Sequence, residues 1–123
     1  MKKNKEVEWL SEPAAKDYPA AEAYLRLLFR KKKTAKLVNK LKKAPLTKFS
    51  AKDILRASGL PMAGVQVFDW KIQRNEVKNR VPLSPILLVR RGRGKHAIVA
   101  DGFHRLCAVF AFDEQVEVLC KIV

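Results

Sequence analysis

The residues of this chain that could most readily carry chemistry lie together at positions 101–105, which are Asp, Gly, Phe, His and Arg. An apolar run at 98–100 predicts a strand before them, and apolar residues at near-helical spacing up to 112 predict a helix after them. A helix start presents unpaired N–H groups and the positive end of the helix dipole, which favour an anion such as phosphate. Gly102 would let that anion approach the backbone. The pattern therefore predicts a phosphate site, with side-chain donors from His104 and Arg105.

A plainer interpretation of this junction stays open. Asp101 could cap the helix by accepting its first N–H groups, and His104 and Arg105 would then be two exposed basic residues. Strand–turn–helix junctions of this kind are common, so the local pattern does not decide between an anion site and a capped helix.

Net charge is a second feature that points to an anionic partner. The 123 residues include 26 Lys and Arg against 12 Asp and Glu, which gives a formal charge of +14. Such a charge attracts polyanions, with nucleic acid as the first candidate and acidic lipid surfaces or acidic proteins after it. A basic surface that only keeps the chain soluble is the alternative.

The basic excess is concentrated in residues 1–43 and not around positions 101–105. The best candidates for contacts with a nucleic-acid backbone are seven lysines at the end of a first predicted helix and along a second. They are Lys31, Lys32, Lys33, Lys36, Lys40, Lys42 and Lys43. A solvated outer helix face would show the same pattern.

Cysteine and histidine usage bounds the compartment and the cofactors. Cys107 and Cys120 fall within apolar patterns, which predicts buried free thiols in a reducing compartment. These cysteines, together with His96 and His104, lack the spacing of a zinc site. The first residues do not form a signal peptide, and no apolar stretch approaches the roughly 18 residues of a membrane span. We therefore expect a cytoplasmic protein with no membrane partner.

Two helices are predicted in the basic N-terminal region. Asp17 is the expected cap of the first, which should end at lysines 31–33. The predicted inward face of this helix is apolar and consists of Ala20, Ala23, Tyr24, Leu27 and Leu28. Thr34 is the expected cap of the second helix, which Pro45 stops.

Two shorter helices follow. Ser50 and Asp53 have the spacing of a capping box, and Gly59 suits a C-cap, so a helix of about two turns is predicted between them. A fourth helix is predicted from Asp69 to about Arg80.

The remaining residues predict a small sheet. The apolar run at 86–89 is typical of a strand buried on both faces, and Gly92 and Gly94 predict a hairpin to a strand at 96–100. The helix to about 112 and a strand at 116–123 complete a strand–helix–strand unit, which predicts parallel pairing through a right-handed crossover. We expect an α+β fold, with a basic helical region at 1–60 and a small mixed-sheet domain at 61–123.

These residues also resemble a known family. The stretch PLSPILLV at 82–89, the glycine hairpin and the stretch ADGFHRLCA at 100–108 resemble the ParB/sulfiredoxin superfamily domain. Upstream tracts, DYPAA at 17–21 and KDILRASGLP at 52–61, extend the resemblance to small uncharacterised bacterial ParB-like proteins. In this superfamily the glycine turn and the helix start bind nucleotide phosphates, ATP in sulfiredoxins and CTP in ParB proteins, and Mg²⁺ can accompany them. The resemblance implies nucleotide contacts at Asp101, Gly102, Phe103, His104 and Arg105.

Two departures limit what the resemblance implies. Phe103 stands at the position of the sulfiredoxin catalytic cysteine, so sulfinic acid reduction is not expected, and Cys107 should not replace that thiol. ParB proteins have Glu and Arg where this chain has Phe103 and His104, and a helix-turn-helix domain follows their motif. Centromere binding and a preference for CTP are therefore not carried over.

The favoured function is a nucleotide- or phosphate-binding module that also binds nucleic acid non-specifically through its basic N-terminal half. A phosphate-directed enzyme, such as a nucleotide hydrolase or nuclease, would need metal ligands or a general base, for which His104 and Asp101 are the candidates. A non-catalytic adaptor with a decayed nucleotide site is the third hypothesis. No catalytic residue is assigned.

Overall fold

A computed structural model describes residues 7–60 and 71–123. Within them the helices are α1 (Asp17–Leu28), α2 (Lys31–Lys43), α3 (Ala51–Ser58), α4 (Lys71–Lys78) and α5 (Phe103–Phe112). The strands are β1 (Thr47–Ser50), β2 (Ile86–Val89), β3 (Ile98–Asp101) and β4 (Glu117–Ile122). The predicted α+β class is confirmed.

The four strands form one mixed sheet in the order β1-β4-β2-β3. Strand β2 pairs antiparallel with β3 and parallel with β4, while β1 pairs antiparallel with β4. The predicted parallel pairing of the strands on either side of α5 is therefore wrong. The hairpin places β3 on one side of β2, so the returning chain joins the other side of β2 and leaves β3 at the sheet edge. Strand β1 was not predicted, since its four residues are all at least partly exposed and show no buried face.

Both faces of the sheet carry helices, as the buried run in β2 predicted. Alternate residues of a strand point to opposite faces. Leu87 and Val89 pack in one core with α1 and α2, and Ile86 and Leu88 pack in another with α3, α4 and α5. All four residues of β2 are buried, which confirms that prediction.

The predicted inward face of α1 is wrong. Ala21 and Leu25 are the buried apolar residues of this helix, whereas Tyr24, Leu27 and Leu28 are 44%, 80% and 46% exposed. The rotation of the helix follows from Asp17, whose side chain is also buried and lies on the same face as Ala21 and Leu25 at spacings of four and eight residues. Asp17 does not cap the helix, because Lys16 occupies the N-cap position and no side chain caps it.

The boundary between α1 and α2 also differs from the prediction. Lysines 31–33 begin α2 and do not end α1. Thr34 lies inside α2, where it is fully buried and its hydroxyl donates to the Phe29 carbonyl at 3.4 Å. It therefore does not cap the helix from outside.

Local signals in α3 are confirmed. The Ser50 hydroxyl accepts from the Asp53 N–H at 3.2 Å, and Gly59 is the C-cap in a left-handed conformation with φ 76°. The predicted cap of α4, Asp69, lies outside the described residues.

Cys107 and Cys120 are buried free thiols, and burial raises the pKa of each to about 11. Of the helices in residues 7–60 and 71–123, none has the length and apolarity to span a membrane.

Candidate functional site

A cleft of about 620 Å³ runs beside β3, the edge strand of the sheet. All four residues of β3 line it. One wall comes from α1, through Ala20, Tyr24 and Leu28 at spacings of four residues. Ser58 and Leu60 at the end of α3 line it as well. Part of the apolar stripe that predicted a core face of α1 is therefore a wall of this cleft.

The start of α5 opens onto the same cleft. Gly102 is its N-cap, with φ 104° and ψ 18°, and no side chain caps the helix. Gly102, Phe103 and His104 all line the cleft. A Cβ at position 102 would lie 2.9 Å from Arg105 Nη2 and 3.1 Å from a side-chain carbon of Ile86, so glycine is required both by space and by backbone conformation.

The side chain of Arg105 extends from this turn toward the protein interior and does not line the cleft. Its Nη2 donates to Asp101 Oδ2 at 3.0 Å and to Asp17 Oδ2 at 3.3 Å. Asp17 also accepts a hydrogen bond from the Ser84 hydroxyl, which in turn accepts from the Ala14 N–H at 2.9 Å. This ion-pair cluster of Asp17, Arg105 and Asp101, with Ser84, ties the start of α5 to the start of α1.

The ion-pair cluster is largely removed from water. The side chains of Arg105, Asp101 and Asp17 are 17%, 18% and 5% exposed. Burial raises the pKa of Asp101, and Asp17 adds to that rise, while Arg105 opposes it. Two carboxylates thus share one guanidinium, so the charge of Arg105 is largely compensated inside the protein. Asp101 pairs with Arg105 and does not cap α5.

The structure therefore separates the five residues predicted at the turn. Asp101, Gly102, Phe103 and His104 line the cleft, and Arg105 lies behind it. The His104 ring is exposed and meets the Phe103 ring edge-on, with 5.5 Å between ring centroids.

Two basic residues of the cleft were missed by sequence reasoning. Arg91 and His96 line its far end, on the hairpin between β2 and β3. Arg91 Nε donates to the His96 carbonyl at 2.8 Å, and the His96 ring packs where a Cβ of Gly59 would be. The Ala97 N–H donates to the Ala57 carbonyl at 2.9 Å. The hairpin is thus anchored to the end of α3, which is a long-range contact that its glycine-rich sequence does not signal.

The seven lysines predicted to contact nucleic acid are all exposed. They lie along α2, which has no acidic residue and buries Thr34, Leu37, Val38 and Leu41. On a helix, residues 32, 36, 40 and 43 fall on the side opposite this buried face. We call Lys32, Lys36, Lys40 and Lys43 the α2 ridge. No described residue of α2 lines the cleft, so the seven lysines do not belong to the cleft that contains Gly102.

Neither a metal-binding cluster among the described residues nor a comparison with known proteins identifies a ligand. Among residues 7–60 and 71–123, no group of three or more His, Cys, Asp or Glu side chains is placed to hold a metal ion. Comparison of the chain with protein-family models, with curated proteins and with solved structures found no match.

Proposed function

We propose that the chain is a nucleotide-binding module whose ligand occupies the cleft beside β3. The observation that carries the proposal is the start of α5, which has no side-chain cap and opens into a cleft with an apolar, partly aromatic wall. Backbone N–H groups and the helix dipole at such a start favour phosphate. An apolar wall suits a base. The cleft thus offers, within one space, the two kinds of surface that a nucleotide needs.

The phosphate end of the ligand would lie at Gly102 and His104. Gly102 adopts a left-handed conformation and packs against Arg105 and Ile86 where a side chain would stand, so glycine shapes the turn that presents the start of α5 to the cleft. The exposed imidazole of His104 adds a donor there. Arg105 supports this turn from behind through its two carboxylate partners and is a positioning residue in this proposal.

The base would pack on α1. Tyr24 is 44% exposed and Leu28 is 46% exposed, and both side chains line the cleft. Aromatic rings provide a stacking surface for any base, so this wall does not choose between ATP and CTP. A cleft of about 620 Å³ falls in the range of small-molecule sites, about 300–1,000 Å³.

Magnesium fits this site only as a companion of the nucleotide. Mg²⁺ usually keeps several waters and binds through substrate phosphates with one or two carboxylates. Asp101 is the only carboxylate among the described residues that line the cleft, and its Oδ2 already accepts from Arg105.

The buried free thiols suit a reducing compartment, which supports a cytoplasmic location.

A thermal-shift titration with ATP, CTP and inorganic phosphate tests the proposal. A ligand at 100 times its Kd stabilises the folded state by about 2.7 kcal/mol, which is roughly a 10 °C rise in Tm for a chain of this size. His104→Ala should weaken nucleotide binding several-fold, and Lys48→Ala, an exposed cation on β1, should not. A Tm that no nucleotide raises at millimolar concentration would contradict the proposal.

A second function, non-specific nucleic-acid binding, is supported by the α2 ridge. The four lysines of the ridge follow one side of a helix that has no carboxylate, an arrangement suited to successive phosphates of a duplex. Binding of a short DNA duplex should weaken steeply with salt, and Lys32→Gln with Lys36→Gln should reduce the salt slope by about two. The double variant Lys48→Gln with Lys52→Gln, which removes two exposed or partly exposed cations elsewhere, is the control. Equal losses in the two double variants would mean that only total charge matters.

A further inference from the structure

A second basic surface lies on the hairpin between β2 and β3. Arg90, Arg91, Arg93 and Lys95 are all exposed within six consecutive residues, and we call them the hairpin cluster. Within the described parts of the chain, none of the ion pairs involves any of the four. Their charge therefore faces solvent uncompensated, in contrast to the charge of Arg105.

The hairpin cluster continues the cleft. Arg91 belongs to both, since it lines the cleft together with His96. Its guanidinium is held there by the hydrogen bond from Nε to the His96 carbonyl at 2.8 Å. The four residues of β3 separate this end from the turn at Gly102, which is roughly 13 Å at about 3.3 Å per residue. A ligand longer than one nucleotide would pass from the cleft directly onto the hairpin cluster.

We propose that the cleft and the hairpin cluster together bind single-stranded nucleic acid. One nucleotide occupies the cleft as described above, so this inference rests on the proposed function, and the neighbouring phosphates of the strand contact Arg91, Arg93 and Lys95. Single-strand sites combine a basic groove with aromatic faces on which bases stack. Tyr24 supplies that face, and only an unpaired base can reach it, because the bases of a duplex are stacked inside the helix.

The arrangement favours a nucleic acid over an acidic peptide. Three of the four cations in the hairpin cluster are arginines, whose planar guanidinium matches phosphate through paired donors. The partly exposed Tyr24 ring offers a stacking surface that a carboxylate-rich peptide would leave unused. The two basic surfaces are then divided in function, with the α2 ridge for a duplex and the hairpin cluster for a single strand.

Fluorescence anisotropy with labelled thymidine oligonucleotides of one to ten nucleotides, and with a ten-base-pair duplex, tests this division at low and moderate salt. Affinity should rise from one nucleotide to about four and then level off. Arg91→Gln with Arg93→Gln should weaken hexanucleotide binding roughly ten-fold and lower its salt slope by about 1.4. Arg93→Gln with Lys95→Gln, at exposed positions that do not line the cleft, should leave the binding of a single nucleotide within three-fold. The charge-matched variant Lys32→Gln with Lys36→Gln should weaken duplex binding and leave the hexanucleotide within two-fold.

Tyr24→Ala tests the stacking face. It should weaken hexanucleotide binding roughly ten-fold, since stacking on one aromatic ring is worth about that factor. Leu27→Ala, a more exposed position on the same helix that does not line the cleft, should have no effect. All substituted side chains are exposed, so a Tm within about 2 °C of the wild type shows that each variant is folded.

The outcomes separate this inference from the proposed function. Equal affinity for one nucleotide and for six would overturn the inference and leave the nucleotide site standing. Equal losses of hexanucleotide affinity in Arg91→Gln with Arg93→Gln and in Lys32→Gln with Lys36→Gln would also overturn the inference. Competition by a glutamate decapeptide at the concentration where the unlabelled hexanucleotide competes would overturn it too. Hexanucleotide binding that depends on Arg91 and Arg93, without binding of ATP or CTP, would support the hairpin cluster and refute the nucleotide site at Gly102.

Discussion

Helices α3 and α5 both start at the end of a strand, but their first turns have different surroundings. In α3, the Ala51 and Lys52 N–H groups donate to the Val116 and Glu114 carbonyls at 2.9 and 3.0 Å, and the Asp53 N–H donates to the Ser50 hydroxyl at 3.2 Å. In α5, the N-cap is a glycine without a capping side chain, and the first turn lines a cleft.

In the proposed function, this difference separates a helix start that the protein itself closes from one that receives a ligand. Every folded helix must find partners for its first N–H groups. At α3 the protein supplies these partners itself, so nothing is left to bind an anion. At α5 the polar side chains of the turn are used to hold the turn in place: Asp101 and Arg105 pair with each other and with Asp17. In the proposed function, the positive end of the α5 dipole then faces the phosphate.

The largest expected effect comes from breaking the ion-pair cluster that holds the start of α5. Arg105→Met should destabilise the fold by about 3 kcal/mol, because breaking a buried ion pair leaves Asp17 as an uncompensated buried charge. Urea denaturation measures the loss. Arg91→Met, at an exposed guanidinium of the cleft, should cost less than about 0.5 kcal/mol. Similar losses in the two variants would show that the ion-pair cluster does not hold the start of α5.

A somewhat smaller effect is expected at the N-cap of α5. Gly102→Ala should cost about 2 kcal/mol, since alanine at φ 104° is strained and its Cβ would lie 2.9 Å from Arg105 Nη2. Gly92→Ala is the matched control, because nothing lies within 4 Å of the added carbon and its φ is outside the left-handed region. Denaturation of both variants measures the difference. A neutral Gly102→Ala would mean that another residue can form this turn.

The start of α3, where the protein itself supplies partners for the N–H groups, should depend on the side chain of Ser50. Ser50→Ala removes the acceptor for the Asp53 N–H and should cost about 1 kcal/mol, whereas Ser50→Asp keeps an acceptor there and should cost little. Thermal denaturation distinguishes the two. If both variants lose the same amount, the hydroxyl of Ser50 is not what closes α3.

The smallest effect is one of pH. The pKa of Asp101 is raised in the folded protein, mainly by burial, so the folded state binds this proton more tightly than the unfolded state does. Ionisation of Asp101 therefore lowers stability as pH rises from about 4, its ordinary pKa, through the raised value. The stability of Asp101→Asn relative to the wild type should therefore increase as the pH rises from about 4 through the raised pKa, as measured by urea denaturation at several pH values. A relative loss over that interval would contradict the sign.

Local patterns were enough for several elements and for the position of the turn. Ser50 and Gly59 bound α3 through contacts within a few residues of each other. The apolar run of β2 reflects burial on both faces and was predicted from four adjacent residues. Gly102 at the end of a strand was enough to predict the turn and the helix after it. These elements depend on near neighbours, which a sequence pattern contains.

The errors came from contacts that are distant in the chain. Asp17 was predicted as a cap, but Arg105 and Ser84, 88 and 67 residues away, bury its carboxylate and set the rotation of α1. That rotation turned Tyr24 and Leu28 from a predicted core face into a cleft wall. A stripe of apolar residues indicates that a face is in contact with something, and it does not say whether that is a core or a cleft.

The sequence by itself determined a basic α+β chain with a strand, a glycine turn and a helix at 98–112, because local propensity and charge are properties of the residues. The tertiary structure decided which groups meet there. It placed Arg105 on two carboxylates behind the turn, and it brought Arg91 and His96 of the hairpin to the same cleft as Gly102. These placements depend on strand order and on helix rotation, which result from packing of the whole chain.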